Sequence, residues 1–86
     1  MSDSNEITIL FFSLFRDLAG TEKMSLSLST EDRSLGDIVE RVYAEVPGLK
    51  KWDGRMLLAV NHEYADRLQE IQPGDEIAMM PPVQGG

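Results

Sequence analysis

The sequence predicts an α+β fold in which a mixed sheet packs on one main helix. Three features carry that expectation: two apolar runs of strand length near the start, one amphipathic helical stretch in the middle, and two short apolar runs set off by turn residues. One helix cannot cover both faces of a sheet, so a sheet with the helix on one side is the economical arrangement. Eighty-six residues make one small domain, near the lower size at which a single core supports folding.

Met1 to Asn5 are polar and expected to fray. Glu6 to Ser13 (EITILFFS) reads as a strand with Ile7, Ile9 and Phe11 on one face. Thr8, Leu10 and Phe12 fall on the other, so the strand is apolar on both sides and is expected to be central, with Phe11 and Phe12 in the core. Arg16 to Thr21, which contains Gly20, reads as a turn region, and Met24 to Leu28 alternates as a strand with one wet face. Ser34 to Val46 is the helix: Ser34 caps it, Asp37 stands in the capping-box position, and Leu35, Ile38, Val39, Val42 and Val46 form one stripe. Pro47-Gly48 ends it. An Asp53-Gly54 turn leads into a third strand, Met56 to Val60, and Pro73-Gly74-Asp75 precedes the last, Glu76 to Met80. The order β-β-α-β-β, with a crossover that sets later strands parallel to part of the first hairpin, is that of the ubiquitin-like β-grasp. Residues 1–80 are thus the folded domain, and 81–86 an extended diglycine tail.

Composition removes several chemistries. There is no cysteine, hence no disulfide, thiolate catalysis or thiolate metal site. A single histidine, His62, makes a multi-histidine metal site impossible and a Ser-His-Asp triad a poor expectation; it reads as an exposed residue beside a strand end. Fifteen acidic against 8 basic residues give a net charge of −7, which would repel a nucleic acid and be steered toward a basic partner surface. The longest apolar run, Ile7 to Phe15, is too short to span a bilayer. Asp3 and Glu6 precede it where a secretory signal would carry positive charge, so no membrane and a cytoplasmic location are expected.

The chain closes on Pro81-Pro82-Val83-Gln84-Gly85-Gly86. At ordinary glycine usage two terminal glycines arise by chance in roughly 0.5% of chains. A frayed end would not need the two prolines, which fix φ and lower the ordering cost of threading the tail into another protein. Fully extended, the tail reaches roughly 20 Å at about 3.3–3.6 Å per residue, and its two side-chain-free residues suit a narrow channel. The chemistry is therefore expected on the backbone terminus.

The strings Leu10-Phe11-Phe12 with Arg16, Leu18 and Gly20, then Asp53 to Asn61 (DGRMLLAVN), then Gly74 to Ala78 (GDEIA), and the closing Pro81 to Gly86, taken in this order, resemble the MoaD-type small subunit of molybdopterin synthase, one of the ubiquitin-like sulfur carriers. The resemblance spans Ile7 to Gly86; Met79-Met80 stands where similar chains often carry aromatic residues.

The resemblance implies that an E1-like adenylating enzyme activates the Gly86 carboxylate with ATP. A sulfur donor protein then converts it to a thiocarboxylate. The large subunit of the synthase next takes the tail (Pro81, Pro82, Val83, Gln84, Gly85) and directs sulfur to a pyranopterin precursor. The chain would be a non-catalytic sulfur donor holding no stable cofactor and no metal, with the catalytic side chains on the large subunit. Partner docking is expected from Phe15, exposed beside Arg16, from Arg16 as a bidentate donor, and from Met80 with Val83. Of Met79 and Met80 one should be core, and Trp52 should pin its loop to the domain. Alternatives are a thiamine-pathway sulfur carrier, which is similar but usually lacks the Phe-Phe…Arg…Gly stretch and the paired prolines, and a ubiquitin-like modifier joined to lysines through Gly86.

Overall fold

A computed structural model describes residues 5–82. Five strands form one sheet in the order β2-β1-β5-β3-β4. They are β1 (Glu6–Phe11), β2 (Lys23–Ser27), β3 (Leu57–Val60), β4 (Glu63–Tyr64) and β5 (Glu76–Met80), with helices α1 (Leu14–Ala19) and α2 (Leu35–Glu45) and a 3-10 helix over Pro47–Trp52. β1 runs antiparallel to β2 and parallel to β5, while β3 is antiparallel to both β5 and β4. The expected β-grasp is present. Its middle strand is β5, whereas β1 is an inner strand between β2 and β5.

The core follows from alternation. Ile7, Ile9 and Phe11 of β1 and Ile77 and Met79 of β5 are buried on one face of the sheet. There they share a cluster with Leu35, Ile38, Val39 and Val42, the stripe read from the sequence of α2. At the start of α2 the Asp37 carboxylate accepts the Arg33 and Ser34 backbone N–H groups at 2.8 and 3.2 Å. These two bonds, the Arg33 one foremost, hold the Asp37 carboxyl below its usual range. The next helix donors, Leu35 N–H and Gly36 N–H, go to the carbonyls of Gln69 and Arg67 at 2.7 and 2.9 Å. A Cβ at Gly36 would meet that Arg67 oxygen at 3.2 Å, so glycine lets the loop after β4 close onto the helix end.

Three elements differ from the sequence reading. The supposed turn over Arg16 to Thr21 lies largely within α1, which starts after Ser13 at φ 53 and stops at Gly20, left-handed at φ 77. Pro47-Gly48 does end α2, but Pro47 also starts the 3-10 helix. The short strand β4 follows a two-residue turn, Asn61-His62, with both residues at positive φ, as a tight hairpin demands. Asn61 is held there from two sides. Its side chain donates to Asp75 Oδ1 at 2.9 Å and accepts the Glu76 N–H at 3.0 Å.

Candidate functional site

The tail leaves the domain from the middle of the sheet. β5 is paired along its length with β1 and β3, and the Phe12 N–H donates to the Met79 carbonyl at 3.2 Å, so the strand is anchored on both sides up to its end. Met80, Pro81 and Pro82 are half-buried. Val83, Gln84, Gly85 and Gly86, which include the expected sulfur-bearing residue, lie outside the described residues.

The sheet face turned away from α2 changes character along its length. Toward the start of β5 it carries Thr8, Ser25 and Glu76, whose strands pair Thr8 with both of the others. Toward the tail the register brings together Leu10 with Ala78, Ala78 with Ala59, Met80 with Leu57 and Ala59 with Tyr64. Beyond the end of β1, Phe12 joins Met80 and Tyr64 in lining two adjoining hollows of about 580 and 280 Å³. The larger also touches Leu14, Trp52, Pro81 and Pro82. Phe12 is 44% exposed and Tyr64 77%. A contiguous apolar patch on a small domain marks a surface meant to be covered, and this one surrounds the root of the tail.

Of the three residues expected to dock a partner, Met80 lies on this patch and Met79 is core, as alternation requires. Phe15 does not. It is 0% exposed and meets Trp52 edge to face at 5.6 Å between ring centroids. The reason is α1: one helical turn points Phe15 inward and leaves Leu14 outside. Phe12, expected in the core, takes the exposed place. Among the described residues a helix lies on only one side of the sheet, so the second apolar face of β1 stays open there. Arg16 is exposed and, among the described residues, its side chain makes no hydrogen bond or ion pair; it does not line the hollows. Trp52 does pin its loop, packed on Phe15 with the Arg55 guanidinium 4.9 Å from its own ring centroid.

The sequence reading missed Leu14, Leu57, Ala59, Tyr64 and Ala78. A signal for some of them was available in the small outward positions Ala59 and Ala78, which face each other across β3 and β5 and leave a shallow floor between larger side chains.

Beside the patch a polar network fixes the loops. Tyr43 donates to Asp53 Oδ1 at 2.8 Å, and Arg67 donates to the same oxygen and to Glu40 Oε2, both at 2.8 Å. Burial, with the Asp53 carboxylate as second cause, pushes the Tyr43 hydroxyl well above its usual range, so it remains a donor. Among the described residues no three His, Asp or Glu side chains converge as a metal site, and no helix is long and apolar enough to cross a membrane.

A β-grasp domain whose middle strand leads into a tail of glycine-ended sequence, beside an apolar face that no described residue covers, has the build of a ubiquitin-like carrier. The chain belongs to the ThiS family, whose model matches residues 9–86. Within that class it is similar to the molybdopterin synthase sulfur carrier subunit of Homo sapiens, 31% identical over 84 residues that cover 94% of each chain. Among solved structures it resembles a chain in the complex of subunits 1 and 2 of the molybdopterin-converting factor of Helicobacter pylori. That match has 27% identity and a TM-score of 0.65, and covers 94% of this chain and 99% of the other. The small archaeal modifier protein 1 of Haloferax volcanii, at 22% identity and a TM-score of 0.81 over 91% and 98% of the two chains, shares the fold.

Proposed function

We propose that this chain is the sulfur carrier subunit of a molybdopterin synthase and that its Gly86 carboxylate carries the sulfur. The observation that supports this most is the near full-length similarity to a molybdopterin synthase sulfur carrier subunit, in a chain whose last strand ends beside an apolar face that no described residue covers. A carboxylate with an ordinary pKa of about 3.3–3.7 is ionised at neutral pH and is a poor electrophile. An E1-like enzyme therefore joins it to AMP at the expense of ATP, releasing pyrophosphate. A persulfide on a donor protein attacks the acyl carbon and expels AMP, breaking the C–O bond and forming a C–S bond. A second thiol then cleaves the S–S bond, leaving the thiocarboxylate on Gly86 and a disulfide on the donor side.

The large subunit takes the tail next. Pro81, Pro82, Val83, Gln84 and Gly85 span its channel, while the patch around Phe12 and Met80 rests on its surface. Arg16 offers a bidentate contact to a carboxylate on that partner. The catalytic side chains belong to the large subunit, and two carriers act per dithiolene because two sulfurs are needed. No cofactor stays on the chain, and the cytoplasm is the compartment where it works. The test is co-expression with the cognate large subunit: the reading predicts a stable complex that makes molybdopterin, and a chain that neither binds nor supports product formation overturns it.

A further inference from the structure

Across Tyr64 from the tail root lies a third hollow, a groove of about 540 Å³. Its apolar walls include Met56, Leu57 and Ala65, its lips are Tyr64 and Leu68, and Asp53, Asp66 and Arg67 bring charge to it. Leu57 and Tyr64 line both this groove and the larger hollow at the tail root, so the two surfaces are continuous.

Leu68 is 87% exposed, and the fold holds it there. Its neighbours' carbonyls, Arg67 O and Gln69 O, receive the first N–H groups of α2, and its own N–H donates to Asp66 Oδ1 at 2.9 Å. A leucine fixed outward at the lip of an apolar groove is a contact waiting for a partner. The charges narrow the partner's chemistry. Arg67 is already paired with Glu40 and Asp53, whereas Asp53 Oδ2 and Asp66 Oδ2 accept no hydrogen bond among the described residues. A purely apolar side chain would desolvate these carboxylates without compensation, and an anion would be repelled.

We propose that this groove receives an arginine side chain of the protein that takes the tail. The aliphatic stem would lie against Met56 and Leu57, and the guanidinium would stack on Tyr64 and bond the aspartates. This inference rests on the function proposed above, and it adds a second anchor that fixes the rotation of the domain about its tail.

The test is calorimetric titration of the full chain with its cognate large subunit. Asp66→Asn keeps the acceptor for the Leu68 N–H and removes the charge, and Leu68→Ser removes the lip. Each variant should weaken Kd about five- to tenfold, with the melting curve of the free domain unchanged and sulfur transfer at saturating partner unaltered. Binding of both variants within about twofold of the parent chain overturns the inference. Selective loss of binding to the activating enzyme, or self-association of the parent chain that Leu68→Ser abolishes, would assign the groove to another occupant and overturn it as well. Failure of the unaltered chain to bind the large subunit counts against the functional reading itself.

Discussion

Along β5, Ile77 and Met79 are sealed under α2, while Ala78 and Met80, each one residue further on, stand on a face that no element of the described chain covers. The same contrast holds in β1, between buried Ile9 and Phe11 on one side and Leu10 with the neighbouring exposed Phe12 on the other. Hydrophobic residues on the two faces therefore serve different ends. One set holds the domain together by burial on folding, and the other stays available for burial on binding.

That contrast is broken most severely from the core side. Ile77→Ala should cost about 2–5 kcal/mol of unfolding free energy by chemical denaturation, because it opens a cavity in a close-packed layer. A loss under about 0.5 kcal/mol would mean that the layer is not sealed. On the open face, Phe12→Ala should leave the unfolding midpoint near that of the parent. It should weaken binding to the large subunit by about 1–2 kcal/mol, about five- to thirtyfold. The reverse pattern, lost stability with unchanged affinity, would return Phe12 to the core.

Smaller effects sharpen the boundary between the faces. Asn61→Ala removes both the residue type tolerant of positive φ and a side chain bonded to Asp75 and Glu76. It should cost about 1–2 kcal/mol and speed amide exchange in β3 and β4 more than in β1. The smallest effect concerns acid. Asp37 has its folded pKa depressed below the ordinary 3.8, chiefly by the Arg33 N–H. Its contribution is complete above the ordinary value and is lost as pH falls through the depressed one. Asp37→Asn should therefore flatten the acid limb of the stability profile while leaving its slope above neutrality unchanged. An identical acid limb in both proteins would contradict the assignment.

Strong periodicity made most of the fold legible. The α2 stripe, the alternation of β2 and β5 and the apolar run of β1 each follow from side-chain spacing alone. Short elements fixed by tertiary contacts did not show. α1 is six residues long and packs Phe15 against Trp52, and β4 is two residues after a turn, Asn61-His62, without the glycine that usually marks one. At the site, Met80 and the two prolines were readable because they sit in line with the tail. The exchange of roles between Phe12 and Phe15 was not, since an apolar residue's type does not reveal which sheet face lacks a cover.

The account centres on the carboxylate of Gly86, and intact mass reads it directly. The chain purified from a host that contains its activating enzyme should show a species heavier by the difference between one sulfur and one oxygen. That species should disappear on incubation with the large subunit and the pyranopterin precursor, and should never form in a chain lacking Gly86. A parent chain that stays at its unmodified mass while molybdopterin is made, or a shortened chain that supports the synthesis equally well, would contradict the account.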